Sequence, residues 1–165
     1  MARIREGTHL NVTPDRVWPF IIDPEKLILW RRDTRTLTMP QGDDFQVGAH
    51  YTIEKELGTR SYTLDCTVTE LKENRKFAFT GEAPGFARVS VSYEAIPREK
   101  GSLFIIDERI DLLNMNFLKS FFFGLFIKKT LANLVKCFLG NLKSMVELQE
   151  GKTTSTWHNA LDHMW

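Results

Sequence analysis

From Phe117 to about Glu150 the chain runs without a proline, and its apolar residues recur with a helical period. Phe121, Leu125, Leu131, Val135, Phe138, Leu142 and Met145 follow i, i+3, i+4 steps. Such a helix is roughly 50 Å long at 1.5 Å per residue, and one stripe of it is apolar. It cannot bury that stripe alone, so the rest of the chain must supply a matching surface.

The preceding residues read as that surface. Segments at roughly 33–39, 47–57, 60–71, 75–82, 86–97 and 102–111 alternate apolar and polar residues. Between them stand turn formers: Gln41-Gly42-Asp43-Asp44, Gly58, Glu73-Asn74, Pro84-Gly85 and Arg98-Glu99-Lys100-Gly101. Consecutive strands joined by short turns form an antiparallel meander. Residues 2–12 predict a further half-buried strand, with Ile4, Leu10 and Val12 on one face and Arg3, Arg5, His9 and Asn11 on the other. Two short helices follow. Thr13 and Pro14 supply the cap and first helical position of one, and Asp23-Pro24-Glu25 repeats the signal for the other. The fold class is therefore α+β: a curved antiparallel sheet of about seven strands wrapped around a long C-terminal helix, with two short helices after the first strand. One helix covers the concave face of such a sheet without filling it, which predicts a cavity between the two. Residues 1–150 are expected to form one domain, and residues 151–165 a polar tail.

Charge excludes little but steers the reading. Lys plus Arg is 22 and Asp plus Glu 21, which gives no global reason to bind nucleic acid. Cys66 and Cys137 each lie among apolar residues with no metal-ligand spacing, and are expected as buried thiols in a reducing compartment. The N-terminus lacks the pattern of a secretory signal. The most apolar run, Leu112 to Ile127, is interrupted by Asn114, Asn116, Lys119 and Ser120 and falls short of the roughly 20 residues of a membrane span. The expectation is a cytoplasmic protein.

Three stretches carry a resemblance to a known family. The first is Val12-Thr13-Pro14-Asp15-Arg16-Val17-Trp18, continuing through Asp23-Pro24-Glu25 to Trp30. The second is Gly48 opening one strand and Val68-Thr69-Glu70-Leu71 ending the next. The third is Tyr93 to Pro97 with Gly101-Ser102-Leu103, followed by the long helix ending Leu142-Lys143-Ser144-Met145-Val146-Glu147. Their order and spacing resemble the START-like superfamily, the polyketide cyclase/dehydrase and lipid transport group, over residues 2–150. The resemblance implies the helix-grip fold and a ligand cavity. It carries over no universal catalytic residue, because members include lipid carriers, receptors, chaperone activators and aromatase/cyclases.

The residues add no catalytic signature: GxSxG, HExxH, GxGxxG and a Walker-type loop are all missing from the sequence. His158 and His163 are five apart, not the three or four that place two metal ligands on one helix face, and His9 and His50 fall on outward faces or near turns. No metal and no cofactor is expected. Candidate ligand-binding residues are those expected to line the cavity. Tyr62 travels with Leu64, Cys66 and Val68, Tyr51 with Val47 and Ile53, and Tyr93 with Val89 and Val91. A tyrosine there offers an apolar body and one orienting hydroxyl. Phe79 joins them, as do Phe121, Leu125, Val135 and Phe138 from the helix and Trp30 at the cavity mouth, with Arg31 and Arg32 just outside it. Arg88, Ser90 and Ser92 alternate opposite to the valines and are expected on the solvated face, as are Glu6, Glu54, Asp107, Glu108 and Arg109, the alternative for these five being a buried pair.

These expectations converge on binding of a hydrophobic small molecule or lipid by a carrier or sensor. The alternatives are an aromatase/cyclase acting on a polyketide-like substrate, for which Arg88 and the pocket tyrosines would orient a polyketone, and a partner-docking, co-chaperone-like module. Phe121-Phe122-Phe123 cannot all face the sheet, since successive helical residues lie about 100° apart. Phe122 and Phe126 therefore mark either a membrane-surface or dimer contact, or a patch covered by the tail carrying Trp157 and Trp165 or by the two short helices.

Overall fold

The alternation at the N-terminus becomes strand β1 (Ala2–Leu10), with Ala2, Ile4 and Leu10 buried and Arg3, Arg5 and His9 exposed. A computed structural model of the chain describes residues 1–39, 45–57, 60–113, 117–149 and 151, with Leu57, Arg60 and residues 117–127 described by backbone alone. Three short helices follow β1, rather than the expected two: α1 (Pro14–Val17), α2 (Pro19–Ile22) and α3 (Pro24–Trp30). Pro19 explains the difference, because it has no N–H to bond the preceding turn and so interrupts the helix after Trp18. Thr13 has the extended backbone of an N-cap, but its hydroxyl makes no cap bond. Asp23 does cap α3, its Oδ1 accepting from the Glu25 N–H at 3.0 Å and the Lys26 N–H at 3.5 Å.

Six strands then form the meander: β2 (Thr34–Thr38), β3 (His50–Leu57), β4 (Arg60–Lys72), β5 (Lys76–Ala83), β6 (Ala87–Arg98) and β7 (Gly101–Leu112). With β1 they make one seven-stranded sheet in the order β1-β7-β6-β5-β4-β3-β2, each neighbouring pair antiparallel. Register shifts in β2 near Thr34 and in β4 near Val68 add local twist and help the sheet curve. Gly101, at φ +109°, closes the β6–β7 hairpin, and a Cβ there would lie 2.0 Å from the Leu10 carbonyl oxygen. The neighbouring Ser102 is fully buried and its hydroxyl donates to the Val12 carbonyl at 2.9 Å, pinning that hairpin to the end of β1.

The last element is α4 (Phe117–Gln149), 33 residues long. Its C-terminal half is held against β1: the Lys143 ammonium donates to the His9 carbonyl at 2.8 Å and the Asn11 N–H donates to the Glu147 carboxylate at 3.1 Å. Val135, Phe138, Leu139, Leu142 and Val146 are buried on the face turned to the core. Gly140 faces open space, with no atom within 4 Å of a Cβ built there. Among the described residues no helix is long and apolar enough to cross a membrane.

Candidate ligand site

The inner face of the sheet tapers from large side chains to small ones. At one end stand Phe77 and Phe79 on β5 and Tyr93 on β6, with Phe77 paired to Tyr93. Trp30 meets this end edge-on, its ring 5.5 Å from Tyr93 and 6.1 Å from Phe104, while Tyr51 lies 5.7 Å from Phe79. Toward the other end the same two strands carry Gly81 opposite Val89 and Ala83 opposite Ala87. Aromatic rings fill the first end. At the second, Cys66 Sγ and Val89 Cγ2 close over Gly81, at 3.0 and 3.2 Å from where its Cβ would stand, and Ala83 and Ala87 are buried.

Beside Val89 and Val91 opens a cavity of about 30 Å³, bordered by these two with Ile110, Leu131 and Leu134 on its apolar side and by Asp33, Lys55, Glu56, Tyr62 and Glu108 on its polar side. That volume holds about one water molecule, so anything larger displaces the apolar wall. A bigger concavity, about 490 Å³, lies on the outer face of the sheet. It is open to solvent and lined by polar groups such as Arg88, whose Nε is 2.9 Å from Glu82, so it offers an apolar ligand little shelter.

The polar side is a chain of four charges. Lys55 Nζ contacts Asp33 Oδ2 at 2.5 Å, Asp33 accepts both Nε and Nη2 of Arg31 at 3.1 and 3.0 Å, and Arg31 Nη1 reaches Glu108 Oε1 at 2.5 Å. Arg31 is 1% exposed, Glu108 5% and Lys55 7%. The Arg31 guanidinium also lies 4.6 Å from the centre of the Phe138 ring of α4. Burial alone would push the Asp33 carboxyl up, but Arg31 and Lys55 outweigh it and hold the group well below the usual carboxylate range. Burial likewise opposes the charge on Arg31, and Asp33 and Glu108 more than restore it. Burial, then the charges of Asp33 and Glu108, pushes the Tyr62 phenol up to about 12, so it stays a neutral hydroxyl donor. Lys55 on β3 and Glu108 on β7 are four strands apart, roughly 19 Å across a flat sheet at about 4.8 Å per strand. Among the described residues Arg31 and Asp33 bridge them, so the segment linking α3 to β2 straps across the concave face.

Of the residues named from sequence, Tyr62 is half-buried and borders the cavity. Tyr51, Phe79 and Tyr93 are buried at the aromatic end. Tyr51 is 2% exposed and its hydroxyl has no hydrogen-bond partner among the described residues; Cys66 lies opposite in the register, but no bond of ordinary geometry forms. Trp30 is fully buried, its indole N–H donating to the Phe20 carbonyl at 2.8 Å, so it sits in the core and not at a mouth. Val135 and Phe138 are buried on α4, whereas the side chains of Phe121, Leu125, Phe122 and Phe126, and the tail with Trp157 and Trp165, lie outside the described residues. Val89 and Val91 face inward and Arg88 and Ser90 outward. Val47 is exposed in the turn before β3 and does not share the face of Tyr51. Cys66 is buried, but Cys137 is exposed, contrary to expectation, on the outer side of α4.

Sequence reasoning missed the charged chain. Arg31 was expected just outside the cavity mouth and Glu108 by preference on the solvated face, yet both are buried. The signal was present in the alternation. Lys55 shares its face with Tyr51 and Ile53, and Glu108 shares its face with Phe104 and Ile106, so each is a charge at an inward position. Among the described residues no group of three or more His, Cys, Asp or Glu is placed to hold a metal ion.

The family model described as polyketide cyclase / dehydrase and lipid transport matches residues 1–147. No curated protein matches the chain. Solved structures share the fold at low identity. A START superfamily protein from Mycobacterium smegmatis is 13% identical with a TM-score of 0.72, the alignment covering 90% of this chain and 99% of that one. A protein from Thermus thermophilus is 14% identical, also at 0.72, covering 89% and 98%. A protein of unknown function from Staphylococcus aureus is 12% identical at 0.71, covering 91% and 96%. A seven-stranded curved sheet gripping a C-terminal helix, matched over nearly its whole length by one family model, places this chain in the polyketide cyclase/dehydrase and lipid transport family.

Proposed function

We propose that the chain binds a hydrophobic small molecule or lipid between the inner sheet face and α4, as a carrier or sensor. Residues 1–150 are the binding unit in this reading and residues 151–165 a tail. The observation that carries it is the small cavity between sheet and helix, where Val89, Val91 and Ile110 of the sheet face Leu131 and Leu134 of α4. Apolar side chains border the opening and a short polar wall stands beside it, the usual composition of a small-molecule site. Opening the 30 Å³ cavity to a ligand requires α4 to shift near Leu131 and Leu134, while its C-terminal half stays tied to β1 through Lys143 and Glu147. The test is organic extraction of natively purified protein followed by mass spectrometry, together with uptake of a fluorescent fatty-chain probe by the extracted protein. A co-purifying apolar molecule, or saturable one-to-one probe uptake, supports the reading. Protein that yields no such molecule and takes up no probe contradicts it.

A further inference from the structure

We infer that this site selects a neutral ligand headgroup, a hydroxyl or ketone on an apolar body, over either a carboxylate or an ammonium. The inference rests on the binding reading above and deepens it by naming the headgroup class. Its basis is charge balance in the polar wall. The formal charges of Arg31 and Lys55 cancel those of Asp33 and Glu108, each cation contacting an anion at 2.5 to 3.1 Å, and Glu56, also at the border, is paired with Arg35 at 3.3 Å. All four are largely shut off from water, the side chains of Asp33 and Glu108 being 12% and 7% exposed.

An incoming carboxylate would find no uncommitted cation. To engage Lys55 it must displace Asp33, or else sit unpaired in a region of low dielectric, and either arrangement leaves one buried negative charge in excess. An ammonium meets the mirror problem at Asp33 and Glu108. A hydroxyl or carbonyl adds no charge. An ammonium such as Lys55 has three N–H donors, and Asp33 takes one of them in the contact seen, so a neutral oxygen can accept from another. The Tyr62 hydroxyl borders the same cavity as a second donor, and the Glu108 carboxylate as an acceptor for a ligand O–H. The chain as a whole carries a formal charge of +1, too little to override this local balance by attraction at a distance.

The experiment compares dodecanol, dodecanoate and dodecylamine at pH 8, where the last two are ionised, by displacement of a fluorescent probe from the full chain. Dodecanol is expected to bind about tenfold or more tightly than either ion. Any apolar pocket prefers a neutral chain to some degree, so the deciding comparison uses two variants. Asp33→Asn leaves the wall with one positive charge in excess, and the affinity ratio of dodecanoate to dodecanol should rise about tenfold. Lys55→Met leaves one negative charge in excess, and the ratio of dodecylamine to dodecanol should rise instead. Ratios unmoved by the substitutions, or an ion bound as tightly as dodecanol by the native chain, overturn the inference and leave the binding reading standing. Binding of none of the three by the native chain overturns both. Lys55→Met keeps Asp33 paired with Arg31, so it decides the matter alone should Asp33→Asn fail to fold.

Discussion

Cys66 and Cys137 are equivalent by composition and opposite by position. Cys66 lies on the inner face of β4, 1% exposed, and burial pushes its thiol up to about 12. Cys137 lies on the outer side of α4. A thiol reacts as the thiolate and only where reagent can reach it. Native protein treated with iodoacetamide at pH 8 is therefore expected to be modified at Cys137 alone, with Cys66 labelled only after unfolding; labelling at Cys66 in the folded chain would contradict its placement. The Asp33 carboxyl makes a second residue-scale expectation. Its folded value lies below its unfolded one, so its contribution to stability is fully present above the unfolded value, about 4, and is lost as pH falls further toward the folded one. Urea unfolding at a series of pH values should show stability falling below about pH 4, with a shallower acid arm in Asp33→Asn than in the native chain. The four charges were readable in principle at this scale. Glu108 and Lys55 occupy inward positions of their strands, but a preference for exposed charge hides such cases until a partner is known, and Arg31 lies 77 residues from Glu108 in sequence.

The elements were the most legible level, because each is written in local chemistry. Alternation marks strands, capping residues and prolines mark helix starts, and glycines and an Asn mark turns. The strand after Thr34, the long hairpins and α4 all fall within a few residues of where these signals place them. Pro19 is the instructive exception, since the apolar run Val17 to Ile22 reads as one helix until its missing donor is counted. Glycines carry the converse lesson, that one residue type serves opposite ends. Gly101 holds φ +109° with the Leu10 carbonyl oxygen 2.0 Å from any added Cβ, whereas Gly140 has nothing within 4 Å. Gly101→Ala is expected to cost more than ~3 kcal/mol, and Gly140→Ala to stabilise by about 1 kcal/mol through helix propensity. Chemical denaturation of the two variants checks the pair, and equal effects would show that the turn is not under the constraint described.

At the scale of the whole molecule, the sequence indicates a sheet and a helix that leave space between them, but not how much or where. That depends on register. Pairing Gly81 with Val89 and Ala83 with Ala87 gathers small residues at one end of the concave face, and pairing Phe77 with Tyr93 gathers rings at the other. Neither grouping is visible until the strands are aligned. The strap from Glu108 through Arg31 and Asp33 to Lys55 adds a polar wall beside the small-residue end and ties the two flanks of the sheet together. An apolar ligand is expected to enter at the cavity beside that wall. This is tested most directly by titrating a fluorescent fatty-chain probe into the native chain and into Ile110→Trp, which adds bulk at the border of the cavity. Overpacking of this kind costs about 1–3 kcal/mol and leaves the fold standing, as circular dichroism would verify. The account expects saturable one-to-one binding by the native chain and clearly weaker binding by folded Ile110→Trp; equal affinity in the two would contradict it.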